Sequence, residues 1–514
     1  MATLERQDAP SLPTHGLSWV RQIDRHRSQT PDRPALRQDG RTVTWAELDD
    51  RTRRLASVLA ASGIAAGDRV ALLMTNRLEF VETLVAAHRL GAILVPLNFR
   101  LVASEIEYLL TDSGATAVVV EQALVSGLPG TAASLPTVVV GSSDVPGPPE
   151  YESAIAAAAP SAADGPSDLS SPALILYTSG TTGRPKGAVW THENLIAGSI
   201  MMIQVLRMTS DDEVSAVTAP MFHMASILHL VPTVFLGYPT VVVPSGNFDA
   251  GDFLDLLETE RVTSAFLVPT QWQTVCEGQQ ARPRTLALRN LAWGAAPATP
   301  GNLRAMSETF PDASIVSSFG QTEASITLVL GGRDKLGSVG RPLPLVDVRV
   351  VDPDMNDVVQ GEVGEIVYRG PAVMAEFWNN PTATAEAFRG GWFHSGDLVR
   401  QDEDGYFHVV DRIKDMIISG GENIYSAELE TVLSEHPAIA EVAVVPAAHE
   451  KWGETPVAFV VPVSGDVDAQ DILDFCGSRL ARYKIPTRVI GIDQLPRNAT
   501  GKVQKVALRD LIRD

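Results

Sequence analysis

A chain of 514 residues with a formal net charge of −21 is no general nucleic-acid binder, because such proteins carry a basic footprint. Its length exceeds what one hydrophobic core ordinarily serves, so two or more domains are expected. Cys276 and Cys476 make neither a disulfide framework nor a metal site and fit a reducing cytoplasm, and the polar N-terminus lacks an apolar signal-peptide core.

In chain order, Thr44-Trp45-Ala46-Glu47-Leu48 opens an amphipathic helix, with Leu48, Leu55, Val58 and Leu59 near one face. Short apolar strands are predicted at 70–74, 92–95 and 117–120, with helices over 80–90 and 104–110 between them. This alternation implies a parallel sheet covered by helices. The Ser/Gly/Pro/Ala-rich stretch 141–172 reads as a surface excursion, because the alternation resumes after it.

Residues 214–248 carry no Lys, Arg, Asp or Glu and so imitate a membrane span. Pro220, Pro232, Pro239 and Pro244 interrupt them, and His223 and His229 lie inside, so buried strands and a core helix are predicted instead. Further strands are expected at 240–243, 265–268 and 314–316. From Val346 the texture turns to short strands and glycine-marked turns, a smaller β-rich unit. The last hundred or so residues read as an α+β module, with strands at 416–418, 441–445 and 456–461 and helices at 427–434 and 472–480.

The most informative stretch is Tyr177 to Gly187, Tyr-Thr-Ser-Gly-Thr-Thr-Gly-Arg-Pro-Lys-Gly, which follows an apolar strand. Glycines let backbone N–H groups approach phosphate oxygens, hydroxyls donate further bonds, and Lys186 adds a mobile positive charge. It is not the Walker loop, since Pro185 precedes the lysine and Gly187 follows it. Further motifs come in a set order. They are Trp293-Gly-Ala-Ala-Pro297, Phe319-Gly-Gln-Thr-Glu323, His394-Ser-Gly-Asp397, Asp411-Arg-Ile-Lys-Asp415 and Arg497-Asn-Ala-Thr-Gly-Lys502. Singly, each has a plainer reading as turn, linker or core; their joint order carries the weight.

With these motifs the sequence closely resembles the acyl-adenylate-forming superfamily from about Thr44 to its end, with fatty and related acyl-CoA synthetases nearest. The resemblance implies an α/β fold: a large N-terminal domain of helix-covered mixed sheets with a β-rich subdomain, residues 1–413, and a small mobile α+β C-terminal domain, residues 414–514. It implies ATP, Mg²⁺ and coenzyme A. Thr178, Ser179, Gly180, Thr181, Thr182 and Lys186 would hold the β- and γ-phosphates. Ala295, Ala296 and Pro297 would line the adenine and Phe319, followed by Gly320, would stack on it. Thr322 would bond the α-phosphate and Glu323 would hold the metal. Asp397 would accept the ribose hydroxyls with support from Arg412. Lys414 is the implied hinge, and Lys502 would bridge the substrate carboxylate and the α-phosphate. Gly420 and Gly421 match the turn lining the pantetheine tunnel, and His223 an aromatic gate position.

The chemistry is consistent with those roles. A carboxylate attacking an α-phosphate brings two anions together, so the site must neutralise developing charge; one preorganised contact of this kind is worth about 3 to 4 kcal/mol. The acid is already ionised at neutral pH, so no general base is needed for this step. Amino-acid-activating relatives carry an aspartate in the segment matching Met221-Phe-His-Met224, and this chain has none there. Met224, Ala225, Leu228, Trp272, Trp293 and Ile326 suggest an apolar acyl pocket for a hydrophobic acid. The expected activity is AMP-forming acid–thiol ligation in the cytoplasm, with no nucleic acid, no membrane span, and the oligomeric state open, a homodimer included. Loading of a carrier-protein phosphopantetheine, a single half-reaction, and a non-catalytic nucleotide-binding role are the alternatives.

Overall fold

The computed structural model of the chain describes residues 18–141, 150–166, 168–178, 184–296, 298–331, 335–465, 468–497 and 503–512, leaving aside the side chains of 326, 330 and 331. Two compact units result. The first takes Met1–Leu336, Pro342–Asp347 and Arg369–Phe388, and the second Gly337–Arg341, Val348–Tyr368 and Arg389–Asp514. The β-rich segment thus groups with the C-terminal residues. Within this unit Asp411, on strand Phe407–Arg412, accepts from the backbone and hydroxyl of Ser426, which opens the helix Ser426–Ser434.

In the first unit, one sheet runs in the order Ala324–Gly331, Ser314–Gln321, Asn290–Gly294, Ser264–Leu267, Ser215–Val217, Thr240–Val242, Pro34–Gln38, Arg41–Thr44. A seven-stranded sheet runs Glu376–Phe377, Lys186–Thr191, Pro172–Thr178, Ile93–Pro96, Arg69–Leu73, Ala117–Glu121, Thr137–Val140. Most neighbours are parallel, as the strand–helix alternation predicts. The two antiparallel pairs that matter here are Pro172–Thr178 with Lys186–Thr191 and Ser314–Gln321 with Ala324–Gly331. Each carries one of the motifs, so the sheets are mixed where the chemistry is expected.

Local signals explain the elements. Thr44 caps the helix Trp45–Ala61: its hydroxyl accepts from Glu47 N at 3.2 Å, and Glu47 returns to Thr44 N at 2.8 Å. The 214–248 stretch folds as strand Ser215–Val217, helix Met224–Leu236 with Pro232 inside, and strand Thr240–Val242. Among the described residues no helix is long and apolar enough to cross a membrane. The 141–172 stretch is less superficial than expected. Its helix Tyr151–Ala157 buries Tyr151 completely, and the phenol donates to Glu82 Oε2 at 2.7 Å.

The second unit contains an antiparallel sheet, Asp347–Val351, Val363–Arg369, Phe393–Gln401, Phe407–Arg412, and a five-stranded sheet built on the long pair Ile439–His449 and Gly453–Pro462. Ile417, Ile424, Leu429, Leu433, Val444 and Val460 form an apolar core under that sheet.

Candidate active site

The phosphate-loop motif is a hairpin. Thr178 pairs with Lys186 and Tyr177 with Gly187 across it. Ser179, Gly180, Thr181 and Thr182 lie outside the described residues, as do Pro297 and Lys502. The loop's two stems are pinned from the helix Ala103–Ser113. Tyr177 donates its hydroxyl to Asp112 Oδ2 at 2.7 Å, and Tyr108 donates to Pro185 O at 3.1 Å. Lys186 Nζ sits 5.2 Å from the centre of the Phe377 ring, so its alkyl stem leaves the strand beside an aromatic face. Gly187 leaves room for the facing strand, since a Cβ there would lie 2.6 Å from Ile175 Cγ2.

Thr322 and Glu323 form the two-residue tip between Gln321 and Ala324, which pair across the second hairpin. Backbone bonds fix this tip. Trp190 Nε1 donates to Thr322 O at 2.9 Å, and Met374 N donates to Glu323 O at 2.8 Å. Met374 is positioned in turn by Asn194, whose Nδ2 donates to Pro371 O at 2.9 Å and Val373 O at 3.2 Å. Asn194 also closes the cap of helix His192–Val205 with Thr191. The tip therefore rests on a helix start. The two motifs meet where Thr178 Oγ1 donates to Glu323 Oε1 at 3.1 Å, across 145 residues of sequence.

The small-residue turn after strand Asn290–Gly294 holds Ala295 at φ +64°, a left-handed conformation uncommon outside glycine. Ala295 and Ala296 are exposed, Phe319 half-buried and Gly320 exposed, so both strand ends present themselves at the same sheet edge. His223 is the residue before helix Met224–Leu236, with its ring 4.5 Å from that of Phe222.

Three residues expected to line an apolar pocket are placed as follows. Trp272 is fully buried, donates Nε1–H to Ala292 O at 2.8 Å, and shares one core with Trp293, Val275 and Phe310. Trp293 points into that core with Leu267 and Ile315, because strand register puts them on one face. Leu228 packs on the neighbouring helix, where a Cβ at Gly198 would come within 2.7 Å of its Cδ2. Bulky apolar side chains suit a core and a pocket equally, and only strand register separates the two. Met224 is buried, and the side chain of Ile326 is outside the described residues.

In the second unit, Asp397 is buried and pairs across strands with Arg412, whose Nε lies 3.0 Å from Asp397 Oδ1. Ser395 Oγ accepts from Asp397 N at 2.9 Å, and Glu365 holds the turn by accepting from Gly396 N at 2.9 Å. Lys414 is exposed, and its carbonyl accepts from Arg509 Nη2 at 2.9 Å. Gly420 and Gly421 have φ of +60° and +89°. At Gly420 a Cβ would also meet Trp452 Cε3 at 2.8 Å, whereas the space around Gly421 is open, so conformation alone explains the second glycine.

Sequence reading missed Trp190, Asn194, Phe266 and Ser318, and took His229 only as a break in an apolar run. The Thr191-x-x-Asn194 cap was the one signal available for any of them.

Comparison with known proteins bears on this arrangement. Residues 23–378 match the model of the AMP-binding enzyme family and residues 428–502 that of the AMP-binding enzyme C-terminal domain. A feruloyl-CoA synthase from Amycolatopsis sp is 41% identical over 94% of this chain and 97% of its own. An indoleacetate–CoA ligase from Aromatoleum aromaticum is 38% identical over 95% and 97%. The o-succinylbenzoate coenzyme A synthetase of Bacillus subtilis, solved with ATP and magnesium ion, superposes with a TM-score of 0.84 at 31% identity, covering 97% of this chain and 99% of that one.

Proposed function

The chain belongs to the AMP-binding enzyme family, and from that premise we propose that it activates a hydrophobic, aryl-bearing carboxylic acid as the acyl-adenylate and passes the acyl group to coenzyme A. The coarser activity is that of an AMP-forming acyl-CoA synthetase, using ATP, Mg²⁺ and coenzyme A. The aryl character rests on the relatives' names, feruloyl-CoA synthase and indoleacetate–CoA ligase.

The observation that carries the reading is the Thr178–Glu323 hydrogen bond, which joins the phosphate-loop stem to the hairpin tip. Among the described residues no cluster of three or more His, Cys, Asp or Glu could hold a metal ion alone. One carboxylate beside a hydroxyl suits Mg²⁺, a hard cation that keeps waters and borrows phosphate oxygens. Bound there, it would neutralise phosphate charge. The protein's own groups do the rest. Thr178 and Lys186 hold the terminal phosphates, and Thr322 donates its hydroxyl toward the α-phosphate. Trp190 and Met374 keep that tip fixed, so little reorganisation is needed as charge develops. Asp397 accepts the ribose hydroxyls, with Arg412 orienting it. Lys502 neutralises the attacking carboxylate and the α-phosphate together, and Lys414 is the hinge about which the C-terminal module turns for the thiol step.

The acyl transfer balances simply. The acid's oxygen displaces pyrophosphate from the α-phosphorus, and the thiol sulfur then displaces AMP from the acyl carbon, losing its proton. A panel of carboxylic acids, scored for pyrophosphate release without coenzyme A and AMP release with it, tests the reading. Aryl acids are expected to give both signals with free coenzyme A. Pyrophosphate release from none of them, or acyl transfer to a carrier-protein phosphopantetheine alone, defeats it.

A further inference from the structure

The sheet that carries Trp293 has a second face. Register aligns Phe266 with Ala292, and Gly294 with Ser318, on the side opposite the Trp272–Trp293 core. Helix Met224–Leu236 covers this side through His229, whose ring centre is 5.5 Å from that of Phe266. The same Phe266 ring reaches Gly294: its Cε2 and Cζ lie 3.3 and 3.5 Å from where a Cβ of that glycine would stand. Exposure falls along the line. Ala295, Ala296 and Gly320 are exposed, Ser318 and Ala225 are half-buried, and His229 retains 4% of its surface.

Among the described residues, four side-chain polar atoms on this face are shielded from solvent without a hydrogen-bond partner: Ser215 Oγ and Ser264 Oγ deeper along the strands, and His229 Nδ1 and Ser318 Oγ toward the exposed strand ends. Buried polar atoms are almost always paired, and an unpaired one is costly. A histidine is a poor filler beside a phenylalanine, since leucine would fill the space without that cost. Burial also pushes the pKa of His229 down to about 4, so the ring is neutral at pH 7 and offers one acceptor and one N–H.

We propose that His229 is a specificity-determining residue that pairs with a hydrogen-bond donor on the ring of an aromatic acid, a phenolic O–H or a ring N–H, with Ser318 as a second polar contact nearer the exposed strand ends. The proposal rests on the acid-activating reading above. With its proton on Nε2, His229 accepts through Nδ1. An acid whose ring lacks the donor leaves that nitrogen unpaired, and rejection follows from the unpaired group as much as from the missing bond.

The test uses the full chain and matched acids. 4-Hydroxycinnamate is compared with cinnamate, and indole-3-acetate with naphthalene-1-acetate, by acid-dependent pyrophosphate release. At least one donor-bearing acid is expected to exceed its partner in kcat/KM by about tenfold or more. His229→Leu is expected to erase that ratio by weakening the donor-bearing acid alone, with an unchanged or higher melting temperature. His229→Asn is expected to restore part of the ratio. Ratios near one in the wild type for both pairs overturn the proposal, as does a His229→Leu loss equal for both members. Should His229→Leu not fold, the wild-type ratios and their loss or retention in Ser318→Ala decide. If no acid releases pyrophosphate, the acid-activating reading has failed first, and the proposal falls with it.

Discussion

Glu323 illustrates how one side chain is made reliable. Its backbone is fixed by Met374, and its carboxylate is met by Thr178. We predict that Glu323→Gln lowers acid-dependent ATP–pyrophosphate exchange by about 10²-fold or more, while the melting temperature barely changes, because the amide keeps an oxygen for Thr178. Exchange assays over a magnesium series check this, and near-wild-type exchange would remove Glu323 from the proposed site. At this scale the sequence was informative about residue type and weak about direction. Thr178, Lys186, Thr322 and Glu323 could be nominated because their motifs are dense in chemistry-bearing residues, and the structure brings Thr178 against Glu323. Trp272 and Trp293 were named as pocket-lining and the structure packs both into one core cluster, a placement that an apolar side chain does not signal in sequence. Ala295 was named for its smallness, yet its left-handed backbone is visible only in the fold.

Elements carry these residues through a short relay. Thr191 and Asn194 cap a helix, Asn194 also binds the carbonyls of Pro371 and Val373, and Met374 next to them holds the hairpin tip. Asn194→Ala breaks the cap and strands two carbonyls together. We expect a loss of about 1 to 3 kcal/mol by chemical denaturation, with kcat falling more than KM rises. Asn194→Asp keeps the cap acceptor but loses the Nδ2 donor, so it should recover stability better than activity. Equal recovery of both would mean that the Pro371–Val373 contacts do not position the tip. The helices and strands themselves were largely legible, from Thr44's capping box to the Val-rich strands. Periodicity alone implied a parallel sheet, and the mixed sheets came from the family resemblance. The antiparallel returns after Thr178 and Gln321 follow from hairpin closure, which neither apolar periodicity nor strand length encodes.

The whole molecule holds several histidines neutral in its interior. His88 accepts from Trp19 Nε1 through Nδ1 at 3.2 Å, which leaves Nε2 to donate to Ala173 O at 2.9 Å, and burial pushes its pKa well down. His192 lies 4.7 Å from it, ring centre to ring centre, and burial lowers its pKa from 6.5 to about 4, as it does for His229. A depressed folded-state pKa means that the unfolded chain binds more protons between these values. Stability is therefore full above about pH 6.5 and falls toward pH 4, by up to about 1.4 kcal/mol per pH unit for each histidine. Urea midpoints from pH 7.5 to 4.5 should decline over this window, and His192→Leu should shallow the decline. A flat profile down to pH 5 would contradict the account. The sequence by itself determined the class of chemistry, the order of the motifs and most of the elements, since those depend on residue types at short spacing. Only the tertiary structure decided which motifs touch, which aromatic residues are core, and that His229 Nδ1 is buried without a hydrogen-bond partner. Those facts depend on strand register and on contacts between residues far apart in the chain, and local spacing carries neither.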